Sequence, residues 1–248
     1  MRPALDDRDL LELHVGTGFV LTDSGRILHE NAPDQSAGPR LYFAGCSSGN
    51  VVRLRHDVGE GTAQAIASLA ADEPALSEPI STPVHLDDYI HLLAAEAPVQ
   101  RWNAGLVWTF PDRLDYEHNA ALVDSNTPEG DRLLRRLRGR GMPEPLVALG
   151  FVDVGELWAP WCVAIHDDDI ASIAFAARRG SAGAETGVAT VPAFRGRGFA
   201  AAATAGWAML PALREHVLFY STSRANVSSQ RVAQRLALRF LGATLAIT

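Results

Sequence analysis

The run Arg195-Gly196-Arg197-Gly198 combines two cationic side chains with two residues that leave the main chain bare. That combination suits a phosphate: arginine offers a planar fork of donors, and glycine lets a ligand approach backbone N–H groups. What flanks the run decides whether it can be used in this way. Upstream, Thr186, Val188, Thr190 and Val191 have the composition of a buried strand, and Pro192 ends the ladder by removing a donor. Downstream, Phe199 is followed by Ala200, Ala201, Ala202, Ala203, Ala205 and Ala208, a helix of small residues. The order strand, bare loop, helix therefore places unpaired N–H groups and the positive end of a helix dipole around residues 197–200, where an anion would sit.

Other chemistry-bearing residues give weaker patterns. Cys46 lies in the small-residue run Gly45-Cys46-Ser47-Ser48-Gly49 with His56 as its nearest histidine in sequence, but a free cysteine is more often a small buried hydrophobe than a nucleophile. Asp167-Asp168-Asp169 reads as a hairpin turn, since hard-cation sites spread their ligands over a longer loop. Cys46 and Cys162 are the two cysteines, far apart and without metal-ligand spacing, so neither a disulfide framework nor a structural metal site is expected.

The stretch Thr190-Val191-Pro192-Ala193-Phe194-Arg195-Gly196-Arg197-Gly198-Phe199-Ala200 resembles the acetyl-CoA pyrophosphate loop of the GNAT superfamily of N-acetyltransferases. That loop has Arg or Gln, two residues, Gly, one residue, then Gly or Ala, and Arg195, Gly198 and Ala200 fill the three places. A second landmark of the family, an Asn that opens a helix after a strand, is matched by residues 217–222 followed by Asn226-Val227-Ser228-Ser229. The resemblance covers residues 158–248 well, 106–155 loosely, and the first hundred hardly at all.

It implies an α/β (α+β) fold with a mixed, mostly antiparallel sheet flanked by helices, and acetyl-CoA as co-substrate. Thr190, Val191, Arg195, Gly196, Arg197, Gly198, Phe199 and Ala200 would hold the cofactor, with Asn226 and Ser229 near its pantetheine and pyrophosphate. The acceptor would be a primary amine on a small molecule or peptide, attacking directly. An ammonium with a pKa of about 10 must lose a proton first, and Glu185 falls within one residue of the family's carboxylate base; His166 and Asp169 are lesser candidates. A main-chain N–H near Ala189–Val191 would hold the oxyanion. The helix position where many members carry the acid that protonates the thiolate holds Ala233, which leaves Tyr220 or Ser229 as substitutes. Because the Tyr that many members carry at the Ala233 position is missing, a non-catalytic acyl-CoA-binding or regulatory module is the alternative. A Rossmann-type dinucleotide site would want an acid at the end of the next strand, and 217–222 ends in Ser221 and Thr222.

The elements that must position these residues can be read along the chain. At 248 residues and 47% hydrophobic content the chain can build a substantial core. Its net charge of −7 argues against general nucleic-acid binding despite the arginine-glycine run. The first residues lack the apolar segment of a signal peptide and no run approaches the ~20 residues of a membrane span, so a cytoplasmic protein is expected, with a homodimer compatible. Prolines 74, 79 and 83 make 73–83 the expected linker. It divides an N-terminal α/β region, 1–100, which would permit a degenerate GNAT-like lobe, from an acetyl-CoA-binding domain, 101–248. Expected helices cover 6–14, 62–71 with Thr62 as cap, 86–96, 131–138 and 226–238. Expected strands cover 18–21 and 26–29 as a hairpin, then 41–44, 51–55, 105–110, 158–166, 170–177 and 240–247. Arg132, Arg135, Arg136 and Arg138 read as a solvated helix face, with contact to the cofactor's nucleotide phosphate as the alternative. Arg231, Gln234 and Arg235 are expected outward on the helix after Asn226.

Overall fold

The computed structural model describes residues 5–248. In chain order the elements are α1 (Asp7–Gly18), β1 (Phe19–Leu21), β2 (Ile27–Glu30), β3 (Leu41–Cys46), β4 (Gly49–Leu54), α2 (Glu60–Ala71), α3 (Leu86–Ala94), β5 (Trp102–Thr109), β6 (Ala121–Asp124), α4 (Pro128–Arg140) and α5 (Glu144–Val147). There follow β7 (Trp161–His166), β8 (Asp169–Arg179), β9 (Gly183–Thr190), α6 (Phe199–Ala208), β10 (Val217–Ser223), α7 (Val227–Arg235) and β11 (Arg239–Ile247). Strands β1 and β2 form the small expected hairpin. The other nine strands form one sheet in the order β4-β3-β11-β5-β10-β9-β8-β7-β6. Every neighbouring pair is antiparallel except β9 and β10, which run parallel. A doubly wound dinucleotide fold, whose sheet is mostly parallel, is thereby excluded.

Alternation along the strands assigns the two faces. Leu41, Phe43, Leu106, Trp108 and Tyr220 join a core with Ile66 of α2, Tyr89 and Leu93 of α3, Ala201 and Ala205 of α6, and Ala233 of α7. Their strand neighbours Tyr42, Ala44, Val107 and Phe219 pack on the other face beneath Leu11 and Val15 of α1. Toward β6 the same division holds: Cys162, Ala164 and Ala174 meet Trp207 of α6, whereas Trp161, Val163 and Ile173 meet Leu133 and Leu137 of α4. Helices α2, α3, α6 and α7 therefore share one face; α1 and α4 lie on the opposite one.

Local chemistry explains most boundaries. Asp6 opens α1 by accepting the Asp9 N–H at 2.8 Å, and Thr127 opens α4 just before Pro128. Asp167 and Asp168 both have positive φ, 49° and 68°, the geometry of a tight hairpin turn, so the acidic triplet serves to reverse the chain between β7 and β8. Thr62 does not cap α2; the helix begins at Glu60 after Gly59, whose N–H donates to the Glu96 carboxylate. The segment 73–85 is tied down by buried Glu73, which accepts from the Val84 and His85 N–H groups at 2.8 Å each and from the Tyr89 hydroxyl at 3.0 Å.

Candidate functional site

The site is organised by the loop between β9 and α6. Gly196 and Gly198 take φ of 77° and 90°, values that a side chain would strain. Gly198 is the N-cap of α6 without a side-chain cap, and the first helical bond is Ala202 N–H to Gly198 O at 3.1 Å. The N–H groups of Phe199, Ala200 and Ala201 thus point out of the helix end with no partner inside it. They face a cavity of about 500 Å³. Its walls include Thr190, Arg195, Gly196, Gly198, Phe199 and Ala200 on one side, and Tyr220, Asn226 and Ser229 on the other. Asn226 caps α7, its side-chain oxygen accepting the Ser229 N–H at 3.1 Å.

Beside this cavity the parallel pair β9–β10 comes apart. The β9–β10 register runs from Gly183 opposite Val217 to Thr186 opposite Tyr220. Beyond it β9 continues to Thr190 and β10 to Ser223 with no further pairing. The Val191 N–H points to β8, donating to Ala171 O at 3.0 Å. Because N–H directions alternate along a strand, those of Val188 and Thr190 point toward the parted side. Of the residues expected to supply an oxyanion donor, Val191 and by the same alternation Ala189 point to β8, which leaves Thr190, joined by Val188, facing the parted side.

Two expected cofactor residues lie away from the cavity wall. Val191 is buried in the core under α4. Arg197 turns outward: its guanidinium carbon sits 5.6 Å and 5.2 Å from the ring centres of Phe194 and Phe199, and its Nη2 donates to His166 Nε2 at 2.7 Å. His166 is thereby occupied, and Asp169 lies in the strand start after the turn. Cations reach the cavity from elsewhere. Arg231 and Arg235 of α7 line it, although the helical pattern alone had put them outward. A Cβ placed on Gly198 would meet Arg235 Nη1 at 3.2 Å, so that guanidinium packs directly over the uncapped helix end. Their i, i+4 spacing after the capping Asn was the sequence signal that a paired face existed there.

Tyr220 projects into the cavity with its hydroxyl 2.7 Å from Ser229 Oγ. Burial raises its pKa, against a smaller lowering by Ser229, so the phenol keeps its proton at neutral pH. Ala233 is fully buried in the same core as the Tyr220 ring.

Glu185 is on the other face, beneath α1. Its Oε2 lies 2.7 Å from His14 Nε2 and its Oε1 accepts from Arg178 Nη1 at 3.1 Å, while Arg178 Nη2 reaches Glu30 at 2.5 Å. Burial by itself would raise the Glu185 pKa, but the hydrogen bond and charge of His14, the charge of Arg178 and the Ser221 hydroxyl outweigh it and bring the value to about 2. A carboxylate so saturated with donors is a weak base, and it does not line the cavity. The geometry makes Glu185 an anchoring anion between α1 and the sheet. Cys46 is fully buried beneath α1 with burial raising its thiol pKa, an inert packing residue. Cys162 is likewise buried, its thiol pushed up to about 12. Among the described residues no cluster of His, Cys, Asp and Glu is placed to hold a metal, and no helix is long and apolar enough to cross a membrane.

No family model and no curated protein matches the chain. Its structural neighbours include GNAT acetyltransferases. One is an acetyltransferase from the GNAT family of Colwellia psychrerythraea, 13% identical over 99% of this chain and 97% of that one, with a TM-score of 0.46. A GCN5-related N-acetyltransferase-like protein from Streptococcus suis is 18% identical over 64% of this chain and 68% of the other, with a TM-score of 0.41. A GNAT-family protein from Novosphingobium aromaticivorans is 22% identical over 60% of this chain, TM-score 0.42; the match spans 65% of that protein, just under two thirds.

Proposed function

We propose that the protein is an N-acetyltransferase of the GNAT type, moving an acetyl group from acetyl-CoA to a primary amine on a small molecule or peptide. One observation carries this reading: the uncapped N-terminus of α6 and the parting of β9 from β10 open on the same cavity. The first suits a diphosphate. The second gives an extended chain an unpaired strand edge to lie along and a passage toward the opposite face, where α1 would shape the acceptor side.

The residues of the chain would act as follows. The N–H groups of Phe199, Ala200 and Ala201, with Arg195 beside them, bind the diphosphate. Acetyl-CoA supplies the activated thioester when bound. The N–H of Val188 or Thr190 stabilises the oxyanion as it forms. The amine enters as its free base, its ammonium proton having passed to solvent; after attack Tyr220 gives its phenolic proton to the departing sulfur and takes back the remaining proton of the new C–N nitrogen, with Ser229 holding its hydroxyl in place.

A non-catalytic acyl-CoA-binding module is the second reading, favoured by Ala233 at the position where many GNAT enzymes keep their acid. The two are separated by experiment. Calorimetric titration with acetyl-CoA, with NAD as control, should give selective micromolar binding, and Gly198→Asp should abolish it without loss of circular dichroism. Thiol release with an amine panel then supports the enzyme; binding with no release from any amine supports the module. Absence of acetyl-CoA binding would end both.

A further inference from the structure

Arg195, Arg231 and Arg235 line one cavity, and none of the ion pairs among the described residues involves any of them. In a chain of net charge −7 these three bring positive charge to one cavity without a carboxylate partner. By contrast Arg26, Arg40, Arg53, Arg55, Arg132, Arg178 and Arg239 each hold a carboxylate. The three also exceed what a diphosphate at the α6 terminus requires, because three main-chain N–H groups and the helix dipole already face that position.

Position separates their tasks. Arg235 lies against Gly198 and hence beside the helix end. Arg231 stands one turn earlier on α7, on the same face, and borders the cavity farther along that helix. Two guanidinium forks one turn apart can hold a phosphate monoester between them, a dianion with three acceptor oxygens. Tyr116, whose hydroxyl would lie 3.8 Å from a Cβ on Gly198, adds an aromatic ring at the same rim.

We propose that Arg231 and Arg235 form a phosphomonoester subsite that makes the protein select the 3′-phosphorylated form of coenzyme A over dephospho-coenzyme A. This rests on the acetyl-CoA reading and specifies it: the acyl donor is the free, fully phosphorylated nucleotide thioester. The α4 arginines, the rival source of such a contact in the sequence, lie on the opposite face of the sheet with Leu133 and Leu137 buried beneath them. Arg132 is moreover paired with Glu129.

The test is calorimetric, on the full chain, with coenzyme A and dephospho-coenzyme A as probes at several salt concentrations. Wild type is expected to bind coenzyme A at least about tenfold more tightly, a ratio worth one factor of ten in equilibrium constant. The double variant Arg231→Gln/Arg235→Gln should bring the ratio to about one and flatten the salt dependence of coenzyme A binding, while Arg135→Gln on α4 leaves both unchanged. Both positions of the double variant are exposed on α7, and the single variants report the same ratio should the pair perturb the helix. Equal binding of the two probes by wild type, or a ratio that survives the double variant, overturns the subsite while leaving the acetyl-CoA reading intact. A ratio lost in Arg135→Gln moves the subsite to α4 and overturns the assignment. Wild type that binds neither probe overturns the functional reading itself.

Discussion

Tyr220 of β10 and Ser229 of α7 meet hydroxyl to hydroxyl at 2.7 Å across the cavity wall. The contact joins the strand at the last β9–β10 pair to the first turn of the helix that Asn226 caps. If this phenol protonates the leaving sulfur, Tyr220→Phe should lower kcat by about 10²-fold with little change in acetyl-CoA affinity. Ser229→Ala, which frees the phenol without removing it, should cost less. Stopped-flow thiol release at saturating acetyl-CoA separates the two; equal affinity and unchanged kcat in Tyr220→Phe would remove the residue from the mechanism.

Arg197 offers a contrasting case. Its guanidinium is held by Phe194, Phe199 and His166 outside the cavity. Arg197→Ala should therefore reduce thermal stability by about 1 kcal/mol through lost packing and cation–π contact. Its effect on acetyl-CoA binding should be smaller than that of Arg195→Ala or Arg235→Ala. Melting curves and calorimetry on the three variants provide the comparison.

The His14–Glu185–Arg178 network predicts acid sensitivity of a definite sign. The folded pKa of Glu185, about 2, lies below its unfolded value near 4.5, so the folded state favours the ionised form. The resulting stability is fully present above the unfolded value and is lost as pH falls from about 5 toward 2. Its size, at 1.36 kcal/mol per unit, is about 3 kcal/mol. Urea unfolding between pH 7 and pH 3 should show this decline. Glu185→Gln should be less stable at pH 7 by a similar amount, because Arg178 and His14 lose a buried partner, and its stability should fall less steeply in acid.

Glu73 gives a prediction remote from the cavity. With three donors converging on its buried carboxylate, Glu73→Ala should cost about 3 kcal/mol and speed amide exchange at Val84 and His85. Exchange that accelerates equally throughout the sheet would show that the carboxylate supports global stability alone and does not pin the segment.

The sequence was most legible where a residue's backbone behaviour announces itself. Gly196 and Gly198, bracketed by a β-branched run and an alanine run, located the helix end within residues 197–200, and Asn226 located its own helix. The central strands followed from their composition. What escaped notice was short or relational. Strand β6 and helix α5 have four residues each, too few for either periodicity to register. Arg231 and Arg235 obey the rule that charged residues face outward, but the outward face of α7 borders a cavity made by other elements. Glu185 stood at the expected place along its strand, yet its pairing with His14 depends on α1, more than 150 residues earlier in the chain. No local pattern encodes that meeting.

The placement of β11 between β3 and β5 governs when this molecule can exist at all. Strand β5 has both of its partners, β10 and β11, later in the chain, and β3 must wait for β11 to be linked to the rest of the sheet. During synthesis the N-terminal strands therefore emerge with an unpaired edge and keep it until residues 239–247 have left the ribosome. The sheet closes late and through distant contacts, a topology that folds slowly and exposes its strand edges to aggregation in the meantime.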